Sequence, residues 1–276
     1  MISQAKLQSG FQEFLSLPLT FAKDVFAYRE YLIQSVARDL RRRYKRSVLG
    51  YCWSMLNPLF MMIILAIVFS SIMRQNIDDY AVFLFSGMLP WSYFSGMCNH
   101  CLNTIRSNAK ILNQVNVPRY IFPVSVGFSA IADFILSVVP LILVMVFVGR
   151  TVPGTVLLLP MVLLPLFMVS MGFALVLAVA NVFFEDTEHL VSVFLRALYF
   201  MSPVLYRLEQ LPEWLRPWVK WGNPMYASIT IHRDILYYGN MPSFLMYSWT
   251  LLVSFLILVF GLWVFKRSED KFVFYL

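Results

Sequence analysis

The chain carries little charge. Only 13% of its 276 residues are Asp, Glu, Lys or Arg, about half of what a soluble domain carries, and this excludes an ordinary water-soluble protein. Its 11 glycines are scattered and form no G-x-x-x-x-G-K-[ST] run. A phosphate loop, and ATP hydrolysis of the usual kind, are therefore excluded. No H-E-x-x-H or G-x-S-x-G occurs, and His100, His189 and His232 are far apart, so no nucleophile with its base and orienting partner is recognisable. The three cysteines, Cys52, Cys98 and Cys101, lie in or beside apolar stretches. The C-x-x-C pair has no second ligand pair, so packing is expected rather than metal or redox chemistry, and no disulfide framework is implied. The first 50 residues hold no apolar core followed by a small-residue cleavage site, so no cleavable signal is expected.

Long apolar stretches fill most of the rest, at 59% hydrophobic residues. Charged side chains are absent from Cys52 to Met73, Tyr80 to Ile105, Thr151 to Phe184 and Ile235 to Phe265. Between Tyr120 and Gly149 the only one is Asp133. A shorter apolar block runs from Ala197 to Tyr206. A span needs roughly 20 apolar residues, and without a strand's alternation these are helices, since lipid leaves no other way to satisfy the backbone. The pattern predicts an all-α membrane protein with six transmembrane helices at about 53–73, 80–104, 120–148, 155–181, 190–206 and 244–265. Pro118 is expected to mark a boundary, and Pro160 and Pro165 to kink span four.

Residues 1–46 form a separate N-terminal segment before the six-span domain of 47–276. Phe21, Val25, Tyr28, Leu32 and Val36 recur at helical spacing, while Lys23, Asp24 and Glu30 fall largely elsewhere. This predicts an amphipathic helix lying at the membrane surface. The basic run from Arg38 to Arg46 follows it. Much of the net charge of +7 sits in such flanking positions, which places both termini in the cytoplasm and argues against nucleic acid as the partner. Residues 207–243 alternate proline with tryptophan. They are expected to form re-entrant helices on the outer face between spans five and six, a candidate gate. Asp133, an acid within a span, is expected to make an interhelical hydrogen bond or to face water.

Several of these runs resemble one family. Arg38-Asp39, Arg43-Tyr44, Ser47, Leu49-Gly50, Trp53 and Asn57-Pro58 resemble the opening signature of the type-2 ABC exporter permeases for O-antigen, capsule and teichoic acid polymers. Phe83 to Trp91 resembles their second-span motif. Asn108-Ala109, Val117-Pro118-Arg119 and Phe122-Pro123 resemble their first cytoplasmic loop, and Glu185-Asp186 their second, with Glu185 where Arg is common. Ser202-Pro203-Val204, Asn223-Pro224 and Arg233-Asp234 resemble the outer segment. The likeness covers about 38–270.

It implies a transport subunit rather than an enzyme, working as a homodimer in the cytoplasmic (inner) membrane. Two copies of a cytoplasmic ABC ATPase would bind the ATP and Mg, leaving no cofactor in this chain. The substrate would be a polysaccharide on undecaprenyl diphosphate, O-antigen foremost. By the same likeness Asn108, Lys110, Arg119, Glu185 and Asp186 would dock the ATPase. Arg38, Arg41, Arg42 and Arg43 would meet the lipid diphosphate. Trp53, Asn57, Trp91, Tyr93, Phe94 and Asp133 are the path candidates. Tyr206, Trp214, Trp218, Trp221, Asn223 and Pro224 would form the outer gate. Two alternatives stand beside this reading. One is an ABC permease for a small hydrophobic compound, which would show a closed apolar pocket. The other is a membrane enzyme on lipid-linked sugars, with Glu185, Asp186, Glu188 and His189 as its one candidate cluster.

Overall fold

The computed structural model describes residues 16–44, 49–50, 52–73, 77–109 and 117–275, and among these every regular element is helical. Helices α1 (16–27) and α2 (Arg29–Tyr44) follow each other almost without a break, since the Leu32 N–H still donates to the Tyr28 carbonyl at 3.0 Å. The expected stripe is the packed face. Phe21 and Leu32 are buried and Val25 and Tyr28 lie against the core, while Phe26 and Ile33 stay exposed.

The apolar runs become α3 (Cys52–Met73), α4 (Ile77–Leu102), α6 (Ile121–Phe147), α7 (Leu159–Phe183) and α11 (Phe244–Ser268), with a one-turn α5 (Thr104–Ser107) after α4. Pro118 stands just before α6, as expected. Pro160 does not kink α7. It occupies the first turn, where its missing N–H would have had no helical acceptor, and only Pro165 is internal.

Among the described residues four stretches are long and apolar enough to cross a membrane: Cys52–Phe69, Ile121–Phe147, Gly154–Phe183 and Phe244–Phe272. The sequence leads one to expect six. Of the other two, α4 has the length, 26 residues, but carries Ser, Asn and His along it. It is the centre of the bundle, packed against α3, α6, α7 and α8 (Thr187–Met201). The fifth expected span, 190–206, is shortened to α8, which has 15 residues and a rise of about 22 Å. It stops because Pro203 disfavours helix at Ser202, and the Ser202 hydroxyl turns back to donate to the Leu198 carbonyl at 2.7 Å.

Beyond α8 the chain forms α9 (Arg216–Gly222) and α10 (Pro224–Arg233), then one π-helical turn, Asp234–Tyr238. α10 packs into the bundle against α4, α7 and α11. Helices α7 and α11 cross at Gly172 and Gly261, where any Cβ would collide with the backbone of the partner helix.

Candidate functional site

Between α3, α4 and α6 lies a groove of about 320 Å³ lined by Trp53, Asn57, Ser92, Tyr93, His100 and Asp133, among others. Asp133 accepts a hydrogen bond from the Ser54 hydroxyl at 3.0 Å, so it locks α6 to α3 as expected while lining the groove. The Ser137 hydroxyl, which donates to the Asp133 carbonyl of its own helix at 2.8 Å, also lies 3.1 Å from the Ser54 carbonyl of α3. Trp53 is 40% exposed and offers a ring face. Tyr93 is buried, its hydroxyl on the Gly127 carbonyl at 3.3 Å. Trp91 and Phe94 are not in this groove. They face the core, Trp91 against Tyr199 at 5.4 Å and Phe94 against Phe173 at 5.5 Å between ring centroids.

A second cavity, about 500 Å³, lies between α2, the end of α4 and the start of α6. Arg38, Asp39, Arg42, Ser107 and Asn108 line it. Arg41 turns away, its Nε donating to the Ala37 carbonyl at 3.0 Å. The side chain of Arg43, and Lys110 entirely, lie outside the described residues. A guanidinium pair in a polar cavity suits phosphate oxygens, which its planar fork meets two at a time.

Sequence reading passed over one feature of this region. Ser92, Gly96, Asn99 and Asn103 recur at steps of four, three and four, and all but Gly96 are exposed. A polar face on a membrane helix is costly against lipid, so this face is turned to water, ligand or protein. The steps of three and four were the available signal, hidden because the same residues dilute the apolar run.

At the α2 end of the bundle two loops are joined. Arg106 pairs with Glu185 at 3.6 Å, and the Asn103 amide donates to Glu188 at 3.3 Å. Asp186 is the N-cap residue of α8. Arg119 lies apart from this junction, in a polar cavity of about 410 Å³ with Asp24, Tyr120, Lys266 and Glu269. The Tyr120 phenol donates to the Asp24 carboxylate. Burial first, then that hydrogen bond, pushes its pKa well up, so the proton stays in place.

At the opposite end the segment after α8 is tied in by a residue that motif reading left without a role. Arg233 is buried at 6% exposure. Its guanidinium donates to the Pro203 carbonyl and, at 2.6 Å, to the Val204 carbonyl, and lies 3.8 Å from the centroid of the Phe83 ring. Tyr80 donates to the Leu205 carbonyl at 2.7 Å. The Asn223 amide donates to the Ser202 hydroxyl at 2.8 Å, while its oxygen caps α10 through the Met225 N–H at 2.9 Å, with Pro224 at the first helical position. The three short motifs of this segment thus meet in one knot. Tyr206 lies beside it, its hydroxyl on the Phe200 carbonyl at 3.0 Å. Trp214, Trp218 and Trp221 project outward, each more than 60% exposed, as tryptophan does at a membrane interface.

Residues 30–237 match the family described as ABC-2 type transporter. The O-antigen export system permease protein RfbA of Myxococcus xanthus is 34% identical over 81% of this chain and 86% of its own length. A protein of the same name from Klebsiella pneumoniae is 30% identical over 87% and 93%. The polysialic acid transport protein KpsM of Escherichia coli is 25% identical over 84% and 91%.

Proposed function

Because the chain belongs to the ABC-2 type transporter family, we propose that it is the membrane permease of an exporter of cell-surface polysaccharide, O-antigen foremost. It has no phosphate loop of its own, so the energy comes from a separate ATPase. In this reading the chain acts as a homodimer with two ATPase subunits. It crosses the cytoplasmic membrane six times, with α4 and α8 as spans two and five and both termini inside. The joined loops at Arg106–Glu185 and Asn103–Glu188 form the surface that receives the ATPase. The substrate enters as a polymer on undecaprenyl diphosphate, its head group at Arg38 and Arg42. The Arg233 knot, with its outward tryptophans, is the outer gate.

One observation carries the reading. The groove of Trp53, Asn57, Tyr93 and Asp133 combines ring faces with hydrogen-bonding groups inside helices that are otherwise apolar. A hydrated glycan is held by weak contacts of this kind and released again, as conduction requires. An apolar cavity also exists, about 1100 Å³ between α1–α2 and helices α6, α7 and α11. It lies under the surface helix rather than along a path through the bundle, which disfavours a small hydrophobic cargo.

The test is deletion of this chain followed by blotting of surface and intracellular glycan, with co-purification of the neighbouring ATPase. Glycan trapped inside, restored by the wild-type chain, and a complex of two permeases with two ATPases are expected. Unaltered surface glycan, with a chain that purifies alone, would overturn the proposal.

A further inference from the structure

Two cavities adjoin beneath the surface helix, and their chemistries are opposite. The apolar one, about 1100 Å³, lies between α1–α2 and helices α6, α7 and α11, and among the described residues that line it only Arg29 is charged. The polar one, about 410 Å³, is lined by Asp24, Arg119, Lys266, Glu269 and Asp270. Phe21 borders both. One face of α11 joins them as well. Phe255 and Leu258 line the apolar cavity, Leu262 and Lys266 the polar one, at steps of three, four and four. From Phe255 to Lys266 that face rises about 16 Å, about half of a hydrocarbon core of about 30 Å, which is the depth of one leaflet. Helix α2 packs chiefly against α6, and the apolar opening separates it from α7 and α11. Carbon atoms around such an opening forfeit their packing contacts unless chains fill it.

The polar cavity holds charge of both signs. Lys266 pairs with Glu269 at 2.5 Å, and Asp24 accepts from the Tyr120 phenol. Arg119 has no such match. Its Nη1 is buried and meets no acceptor among the described residues, and its guanidinium lies 6.0 Å from the centroid of the Phe272 ring. Asp270 is exposed.

We infer that the two cavities are one site for a phospholipid of the cytoplasmic leaflet whose head group carries both a phosphate and a primary ammonium, as phosphatidylethanolamine does. The acyl chains lie in the apolar cavity under α1 and α2. The phosphate meets Arg119, whose planar fork suits two oxygens at once. The ammonium, with three N–H donors, meets the carboxylates of Asp270 and Asp24. A choline head group has no N–H to give them, and a glycerol head group brings no positive charge. The lipid thus seats the surface helix on the bundle. It does not compete with the cargo for space, because Leu32, Ile33 and Val36 of α2 face this site while Tyr31, Ser35 and Arg38 face the cavity beside α4. The inference takes from the exporter reading only the placement of both termini inside.

The test is native mass spectrometry of the permease–ATPase complex, released from nanodiscs with equal parts of phosphatidylethanolamine, phosphatidylglycerol and phosphatidylcholine of the same chains. Retention of phosphatidylethanolamine is expected to exceed that of either other lipid by about tenfold, the ratio that a charge-assisted hydrogen bond supplies. Arg119→Gln lowers retention of phosphatidylethanolamine and phosphatidylglycerol alike, by about tenfold. Asp270→Asn, a change at an exposed position, narrows only the preference for phosphatidylethanolamine over phosphatidylglycerol. Ala22→Trp fills the apolar cavity from an exposed position of α1 and displaces all three lipids. Equal retention of the three, or phosphatidylethanolamine held unaltered by Arg119→Gln, would overturn the head-group assignment. Displacement of the bound lipid by undecaprenyl phosphate would give the apolar cavity to the cargo's own tail and overturn the proposal. Neither result bears on glycan export, which the deletion strain reads separately.

Discussion

Gly87 is the position at which the Arg233 knot is most open to test. A Cβ there would lie 2.5 Å from Arg233 Nη2. The guanidinium cannot easily yield, because the carbonyls of Pro203 and Val204 hold it on one side and the Phe83 ring backs it at 3.8 Å. Gly87→Ala should therefore behave as overpacking, at about 2 kcal/mol within the usual range of about 1–3 kcal/mol. For a chain of this size that lowers the melting midpoint by about 4–8 °C. The informative comparison is the same substitution in an Arg233→Met background. That background is itself less stable, since each carbonyl loses a charged donor worth about 1.5–3 kcal/mol. The obstacle is gone, however, and alanine in a helix is worth up to about 1 kcal/mol over glycine. Gly87→Ala should there be neutral or raise the midpoint, giving a coupling of about 2–3 kcal/mol. Fluorescence-detected gel filtration after heating, in detergent, reads all four proteins. An equal fall in both backgrounds would refute the idea that the Arg233 guanidinium keeps this position free of a side chain.

Three other outcomes follow from contacts described above. Gly172→Val places a side chain against the Ile257 backbone and should abolish the monodisperse peak on gel filtration, whereas Gly96→Ala, with open space around it, should elute as wild type. Tyr120→Phe removes the bond to Asp24 and should cost about 1–2 kcal/mol. The wild-type contribution should be constant at neutral pH. It should decline only above about pH 10, where the unfolded phenol ionises and the folded one, with its raised pKa, does not; melting curves across that range check the sign. Arg106→Ala should leave the stability within about 1 kcal/mol of wild type, because its partner Glu185 is largely solvent-exposed. It should nonetheless reduce recovery of the ATPase in a pull-down.

The apolar runs predicted α3, α6, α7 and α11 to within a few residues, because a bilayer demands continuous apolarity and that demand is written residue by residue. Asp133 was also legible, since an acid in such a run needs a partner, and Ser54 supplies it. Arg233 was not legible as a core residue. A guanidinium in a polar, proline-broken segment reads as a surface group, and only the turn at Ser202–Val204, distant in sequence, provides the carbonyls that let it be buried. The same turn ended α8 early, at a place where the apolar block simply continued to Tyr206. Of the six path candidates, Trp53, Asn57, Tyr93 and Asp133 line one groove. Trp91 and Phe94 went to the core, because neighbouring positions on a helix point about 100° apart and a motif written as a string does not say which of its rings face inward. Ser92, Asn99 and Asn103 were missed for the converse reason: their polarity weakened the span's signal while marking its exposed polar face.

The brevity of α8 has a consequence for the bilayer itself. A helix that rises about 22 Å beside about 30 Å of hydrocarbon leaves a deficit of about 8 Å. The chain does not make this up, since residues 202–205 fold back into the protein and are buried. In the six-span arrangement proposed above, with α8 as span five, lipid around it would thin to match, and a thinned bilayer is a shorter barrier for anything polar that travels along the adjacent helices. The permease would then lower the cost of its cargo's passage partly by deforming the solvent around it, and membranes of short-chain lipid would favour that passage while thick, sterol-like membranes would oppose it.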